Sequence, residues 1–380
     1  MSLKFVTIFP EARNVHLRKG LGKIPFVLYR DHGYDTRLVC FENESVYPSL
    51  DIDVPGLKLE FFKYKNPGHP LLATILYLLT NAQSINVLNL YGQSRYSFFV
   101  GLLYKLLNPG GILFLKLDMN IEYLHRLAKS KNRRRHLMFW NYYFGKIASI
   151  VSSEYQELTQ ALTEFYTIDV QKIIQLPNGV DDIAIGRLPF KRKSFEQKEN
   201  IVLVVGRIGA PEKNHELILS AAQKINFGDW KIVFVGPVES DFKSKIERVF
   251  QIKPELRMQI EFAGEVVDFE ALCFWYNRAK VFCISSLREG FPVVLPEAMF
   301  WGDYIVSTRV SSINEILEEG VLGTIVTSEA ELICALQELI DEPEKMTEKV
   351  RMSIQKAEEQ YIWSGLVKSL AERISKLRLK

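Results

Sequence analysis

Two glutamates with seven residues between them, Glu289 and Glu297, stand in the run LREGFPVVLPEAM at residues 287–299. Carboxylates so placed can accept hydrogen bonds from a ligand's hydroxyls, or simply cap a helix. The apolar run KVFCIS at residues 280–285 reads as a buried strand ahead of them. Pro292 is suited to a helical first turn, so a helix is expected over residues 292–300. Strand, tight loop and helix start follow in that order, and a helix start offers unpaired N–H groups and a positive dipole end to an anion. The loop GRIGAPEKN at residues 206–214 has the same setting, after an apolar strand ending at Val205. It carries Arg207 and Lys213, two cations near another helix start, a pattern suited to a diphosphate.

The elements that hold these loops alternate along the chain. Strands are expected at residues 3–9, 36–41, 57–62, 86–91, 111–116, 148–152 and 172–176. Helices are expected at residues 71–80, 96–107, 121–146 and 154–166. Residues 10–22 read as a loop rich in glycine and lysine, with Asn14, His16, Gly20 and Gly22 available to a ligand. From residue 201 strand and helix patterns alternate again through residue 340, followed by a charged helix over 344–359 and a last helix after Trp363. Such alternation implies parallel sheets covered on both faces. The polar stretch 181–200 is the expected linker. The fold class is therefore α/β: two Rossmann-like, doubly wound domains facing across a cleft, with ligands at the carboxyl edges of the strands.

Length and composition bound the chemistry. At 380 residues the chain exceeds the usual single core, so two domains are the default. A net charge of +3 is too weak to point to nucleic acid as a partner. Cys40, Cys273, Cys283 and Cys334 form no CxxC pair and read as reduced core residues of a cytoplasmic protein. The start MSLKFVTIFP reads as a strand, not a signal peptide. The longest apolar run, residues 71–79, is far below the ~20 residues a membrane-spanning helix needs. The six histidines show no metal-ligand spacing, and no metal is expected. The DxD at Asp51-Ile52-Asp53 lacks a surrounding metal-site pattern and reads as chance.

Four motifs in order, LPNGVD (176–181), VGRIGAPEKN (205–214), FAGEV (262–266) and SSLREGFPVVLPEAM (285–299), resemble family 4 glycosyltransferases of the GT-B fold. The likeness is carried by the second half; the first half agrees in layout more than in wording. The resemblance implies a retaining transfer of a sugar from a UDP- or GDP-linked donor to an acceptor hydroxyl, with no cofactor beyond that co-substrate. By the same resemblance Arg207 and Lys213 hold the donor diphosphate, Glu289 accepts from hydroxyls of the donor sugar, and Glu297 accepts from the ribose. Backbone groups of Gly290, Phe291, Pro292 and Val293 line the sugar and phosphates, and Val266 lies along the base. Many relatives have glycine where Pro292 stands, and proline removes one N–H donor. Domains are then residues 1–180 for the acceptor, a linker 181–200, residues 201–362 for the donor, and a final helix 363–380 crossing back onto the first domain.

The first half departs from that family at one strand end. Relatives often carry a histidine followed by an acidic residue; here the strand ends Leu115-Lys116-Leu117-Asp118. Asp118 is a catalytic candidate or a helix cap, and Lys116 an acceptor-side partner. The segment from Arg126 to Phe144 (RLAKSKNRRRHLMFWNYYF) joins a basic cluster to aromatics. It reads either as a solvated face turning into core or as a patch for an anionic membrane surface. The latter suits a glycan or lipid-linked acceptor at the inner face of a membrane and a product such as a cell-surface polysaccharide or glycolipid. Competing readings are another GT-B enzyme, such as a sugar-nucleotide 2-epimerase or a phosphorylase, and a non-catalytic binding subunit.

Overall fold

The structure is a computed structural model describing residues 2–379. It divides into two units. The first takes the residues up to Gly179 together with those from Trp363 onward; the second is Val180–Ile362.

In the first unit seven strands form one sheet: β1 (Lys4–Ile8), β2 (Asp35–Cys40), β3 (Lys58–Phe61), β4 (Val87–Tyr91), β5 (Ile112–Lys116), β6 (Ile150–Ser153) and β7 (Ile173–Gln175). Their order is β3-β2-β1-β4-β5-β6-β7, with every pairing parallel. The central strands are apolar on both faces, as helix-covered parallel strands require. Strand order reverses direction between β1 and β4, which opens a crevice at their carboxyl ends. The helix Trp363–Arg378 packs against the helix Gly20–His32, burying Trp363, Val367, Leu370 and Ile374 in the same core as Ile24 and Leu28.

Two expectations for this unit fail. Residues 10–22 are not one open loop: a short helix Asn14–Leu17 is followed by the helix Gly20–His32. Pro25, two glycines and an apolar run without a polar face hid this helix from its periodicity. The long helix over residues 121–146 is broken into Ile121–Ala128 and Arg133–Tyr142, with a wider π turn over Tyr143–Ile147. The break falls at Lys129–Asn132, where the apolar pattern lapses and Ser130 bonds the backbone of Asn132.

The second unit holds six parallel strands: β8 (Glu199–Val205), β9 (Lys231–Val235), β10 (Ile260–Gly264), β11 (Ala279–Ile284), β12 (Tyr304–Thr308) and β13 (Gly323–Val326), in the order β10-β9-β8-β11-β12-β13. Its reversal point lies between β8 and β11. The stretch 181–200 is packed rather than loose. Ile185, Leu188 and Phe190 lie against this unit's core, and Phe195 is buried. Lys198 is fully buried, bonding Asp303 and the carbonyls of Tyr276 and Ala279. Of the four cysteines, Cys334 is exposed rather than core, because it sits on the solvent side of the helix Glu329–Asp341.

Candidate active site

The reversal point of the second unit brings together the loops after β8 and β11. The loop after β8 turns sharply at Gly206 and Gly209. At Gly209, φ is +90° and a Cβ would lie 2.3 Å from the Cβ of Phe242, so glycine is required both by conformation and by space. Two backbone-directed bonds fasten this loop to its neighbour. Ser285 Oγ donates to the Lys213 carbonyl at 2.8 Å, and the Leu287 amide donates to the Glu212 carbonyl at 2.8 Å. Thr308, at the end of β12, holds the same loop through its hydroxyl, which donates to the Ser286 carbonyl at 2.6 Å.

Lys213 and Glu289 meet in this fold as an ion pair. Both side chains are about four-fifths buried, at 23% and 19% exposure. Ser286 Oγ donates to the same carboxylate oxygen of Glu289 at 2.9 Å. The pair is 76 residues apart in sequence, so only the adjacency of β8 and β11 joins them. Arg207 is different: its guanidinium pairs with Glu212 and is 62% exposed, free to be drawn from a weak surface pair by a better anion.

Gly290, Phe291, Pro292 and Val293 follow Glu289 directly. Phe291 is buried against the ring of Tyr361 at 5.6 Å, which anchors the loop in the core. Pro292 lies just before the helix Val294–Trp301 rather than in its first turn, and its carbonyl accepts from the Leu295 amide at 3.1 Å. Glu297 lies on that helix and accepts from the hydroxyl of Tyr276 at 3.0 Å, beside Cys273 and Trp301. Burial, reinforced by the Glu297 carboxylate, pushes the Tyr276 phenol well above its ordinary value, so it remains a donor. Val266 sits in the loop after β10 and packs partly on the unit's core.

One residue of this site escaped the sequence reading. His215 is buried, and its Nδ1 accepts from the Gly209 amide at 3.0 Å. Burial, then the neighbouring Lys213 cation, lowers its pKa to about 4. It is a neutral brace for the glycine turn.

The carboxyl edge of the first unit holds a second constellation. Lys116, at the end of β5, is completely enclosed. Its ammonium donates to Asp118 at 2.8 Å and to Glu154 at 3.1 Å. Asn178 Nδ2 donates to the same Glu154 oxygen at 3.0 Å. Asp118 is the member facing solvent, with 54% exposure against 3% for Glu154. Burial raises the Glu154 carboxyl to about 7, although the Lys116 cation acts against that rise. Lys116 itself is raised, since its two carboxylates outweigh its desolvation. The hydroxyl of Tyr91, at the end of β4, is buried beside this cluster. Glu154 and Tyr91 carried no sequence signal, because nothing local distinguishes a strand-end residue that points into a cluster, and Asn178 stood in the LPNGVD motif without a role of its own.

The residues of the expected acceptor loop are largely committed to the fold. Asn14 Oδ1 accepts from the Ser49 amide at 2.9 Å. His16 Nδ1 accepts from the Arg13 amide at 3.0 Å, and its ring lies 5.7 Å from that of Phe9. Burial, then Lys19 and Arg13, holds His16 below its ordinary pKa. Gly20 and Gly22 are buried in the helix Gly20–His32, not in a loop. A Cβ on Gly22 would stand 2.1 Å from the Leu17 carbonyl, so that glycine serves packing. The Asp53 carboxylate of the DxD accepts from Arg18 at 2.9 Å, while its carbonyl takes Lys23 Nζ.

Residues 199–342 match the family model described as "Glycosyl transferases group 1". Among curated proteins, the chain is 28% identical over 156 residues to a phosphatidyl-myo-inositol mannosyltransferase of Mycolicibacterium smegmatis, covering 40% of this chain and 38% of that protein. It is 30% identical over 146 residues to an α-1,4-N-acetyl-D-galactosaminyltransferase of Campylobacter jejuni, named for an undecaprenol-diphosphate-linked acceptor, covering 37% and 38%. The aligned part thus spans well under half of these relatives. In fold the likeness runs over the whole chain. Anabaena HepE, solved with UDP and glucose, superposes with a TM-score of 0.72 at 15% identity, covering 98% of this chain and all of that one. A sucrose-phosphate synthase of Thermosynechococcus elongatus gives 0.74 at 14% identity, covering 99% of each. The matched segment, the motifs it contains and the two parallel-sheet units thus agree on a group 1 glycosyltransferase segment at residues 199–342 within a chain of GT-B fold.

Proposed function

We propose that the protein transfers a sugar from a nucleotide-sugar to an acceptor hydroxyl with retention at the anomeric carbon. The Lys213–Glu289 pair carries this reading: a cation and a hydroxyl-accepting carboxylate held together at the reversal point of a group 1 domain. Lys213, joined by Arg207, neutralises the donor diphosphate as its bond to the sugar breaks. The electron pair of that bond leaves with the diphosphate. The acceptor oxygen bonds to the anomeric carbon on the same face, and its proton passes to the departing phosphate. Glu289 holds sugar hydroxyls, Glu297 the ribose, and the backbone of residues 290–293 the remaining polar edge, with Val266 beside the base. On the first unit Asp118 is the acceptor-facing carboxylate, and enclosed Lys116 positions it.

We further propose a lipid-linked or glycan acceptor met at an anionic membrane surface. Relatives named for phosphatidyl-myo-inositol and for an undecaprenol-linked glycan support this reading. So does the helix Arg133–Tyr142: Met138 and Tyr142 are 73% and 54% exposed beside an exposed run of three arginines, while Trp140 is buried. No helix of the described residues is long and apolar enough to cross a membrane. A panel of UDP- and GDP-sugars with lipid-linked acceptors tests the activity, and the anomeric configuration of the product tests retention. Absence of donor binding and of turnover across the panel would refute the reading in favour of a binding subunit. Flotation with anionic and neutral vesicles tests the surface contact separately.

A further inference from the structure

A cavity of about 530 Å³ lies in the first unit at the amino ends of β6 and β7. It is at the opposite edge of the sheet from Lys116 and Asp118, about 15 Å away at ~3.3 Å of rise per strand residue. Five cations line it: Lys105, Lys146, Lys172, Arg373 and Lys376. They come from four separate segments, and Asp169 is the only carboxylate among the lining residues. None of the five forms an ion pair among the described residues, and Asp169 is occupied in accepting from the Gln171 amide at 2.9 Å.

Two of the cations are fixed by backbone carbonyls. Lys172 Nζ donates to the carbonyls of Phe144, Gly145 and Ala148 at 3.1, 2.6 and 3.2 Å. Lys105 Nζ donates to the carbonyls of Pro109 and Gly111, both at 2.7 Å. Among the described residues Arg373 Nε is buried without a hydrogen-bond partner, a cost that a bound acceptor would remove. Burial lowers the pKa of Lys105 and Lys172; for Lys172 the Asp169 carboxylate opposes that fall, and the nearby Lys146 and Lys105 cations add to it. Like charges are thus crowded where solvent is reduced, and a multiply charged anion would relieve the crowding. The volume falls within the usual range for small-molecule sites. A guanidinium fork flanked by ammonium groups suits phosphate oxygens.

We propose that this cavity is a second ligand site, which takes a phosphomonoester or diphosphate group carried either on a lipid headgroup or on a free small molecule. The full-length protein tests it by equilibrium binding of pyrophosphate, with a Lys213→Ala variant to remove the donor-side diphosphate contact. The cavity variant is Lys146→Gln/Arg373→Gln, two side chains without hydrogen bonds among the described residues. Its melting point, compared with that of the parent, verifies the fold. Pyrophosphate binding should persist in Lys213→Ala and weaken at least tenfold when the cavity substitutions are added. Binding that vanishes with Lys213→Ala, or that ignores the cavity substitutions, overturns the proposal, as does absence of binding to the parent protein. Flotation with phosphatidylcholine vesicles containing phosphatidic acid then separates the two sources. Loss of flotation in the cavity variant assigns the phosphate to lipid. Unchanged flotation alongside lost pyrophosphate binding assigns it to a free ligand.

Discussion

Replacing Lys213 with alanine tests the donor site most directly. In the free protein its ammonium is held by Glu289, with both side chains about four-fifths buried. The substitution removes a fixed positive charge from the leaving diphosphate and leaves the Glu289 carboxylate with the Ser286 hydroxyl in place of a cation. Loss of one preorganised donor to developing negative charge costs ~3–4 kcal/mol, or about 10²–10³ in rate. Arg207 limits the loss, because its exposed guanidinium can still reach an anion. Stability should change little, since a partly exposed pair contributes about 1 kcal/mol or less. The assay is kcat/KM for transfer or donor hydrolysis, with nucleotide diphosphate affinity measured in parallel. A drop of about 10²–10³ with an unchanged melting transition is expected. Adding Glu289→Gln should restore part of the nucleotide diphosphate affinity by removing the unpaired carboxylate. A kcat/KM within about threefold of the parent, with unaltered nucleotide affinity, would refute the assignment of Lys213 to the diphosphate.

Three further outcomes test the scaffold. Asp303→Ala strands Lys198 in the core of the second unit and should cost ~3–5 kcal/mol, while Lys198→Met/Asp303→Leu should recover most of it; chemical denaturation measures both. Glu154 has a folded pKa of about 7, above its ordinary value, so its contribution to stability is present below about pH 4.5 and is lost as pH rises through 7. Glu154→Gln should therefore flatten the fall in melting temperature between about pH 5 and pH 8, and an unaltered slope would assign that fall to other groups. Gly22→Ala drives a methyl group into the Leu17 carbonyl and should destabilise the first unit by ~1–3 kcal/mol or more, read from a denaturant midpoint; a neutral result would mean that the turn between the helices Asn14–Leu17 and Gly20–His32 yields freely.

The donor side was legible because its information is local. The strand KVFCIS, the glycine-containing loops and the charged residues beside them each lie within a dozen residues, where periodicity and turn chemistry act. The alternation expected from residue 201 onward is met by the six strands β8 to β13 with helices between them. The first unit was less legible where apolar character surrounds a helix on every side. In Gly20–His32, residues from Gly20 through Leu28 are all buried, so no polar stripe marks its period. The same burial moved Gly20 and Gly22 from an imagined ligand loop into packing.

The amino-acid sequence alone determined the alternating strands and helices, the two parallel-sheet units and the charged loops at their strand ends, because each follows from near-neighbour patterns of hydrophobicity and backbone preference. Tertiary structure decided which charges meet. Lys213 finds Glu289 through the adjacency of β8 and β11, and Lys116 finds Glu154 through the parallel register of β5 and β6. It also decided that Lys116 is enclosed while Asp118 faces water, and that five cations converge at the far edge of the same sheet. Strand order and burial are set by the packing of the whole core, and they control the electrostatics of each charged group through its neighbours and its access to water.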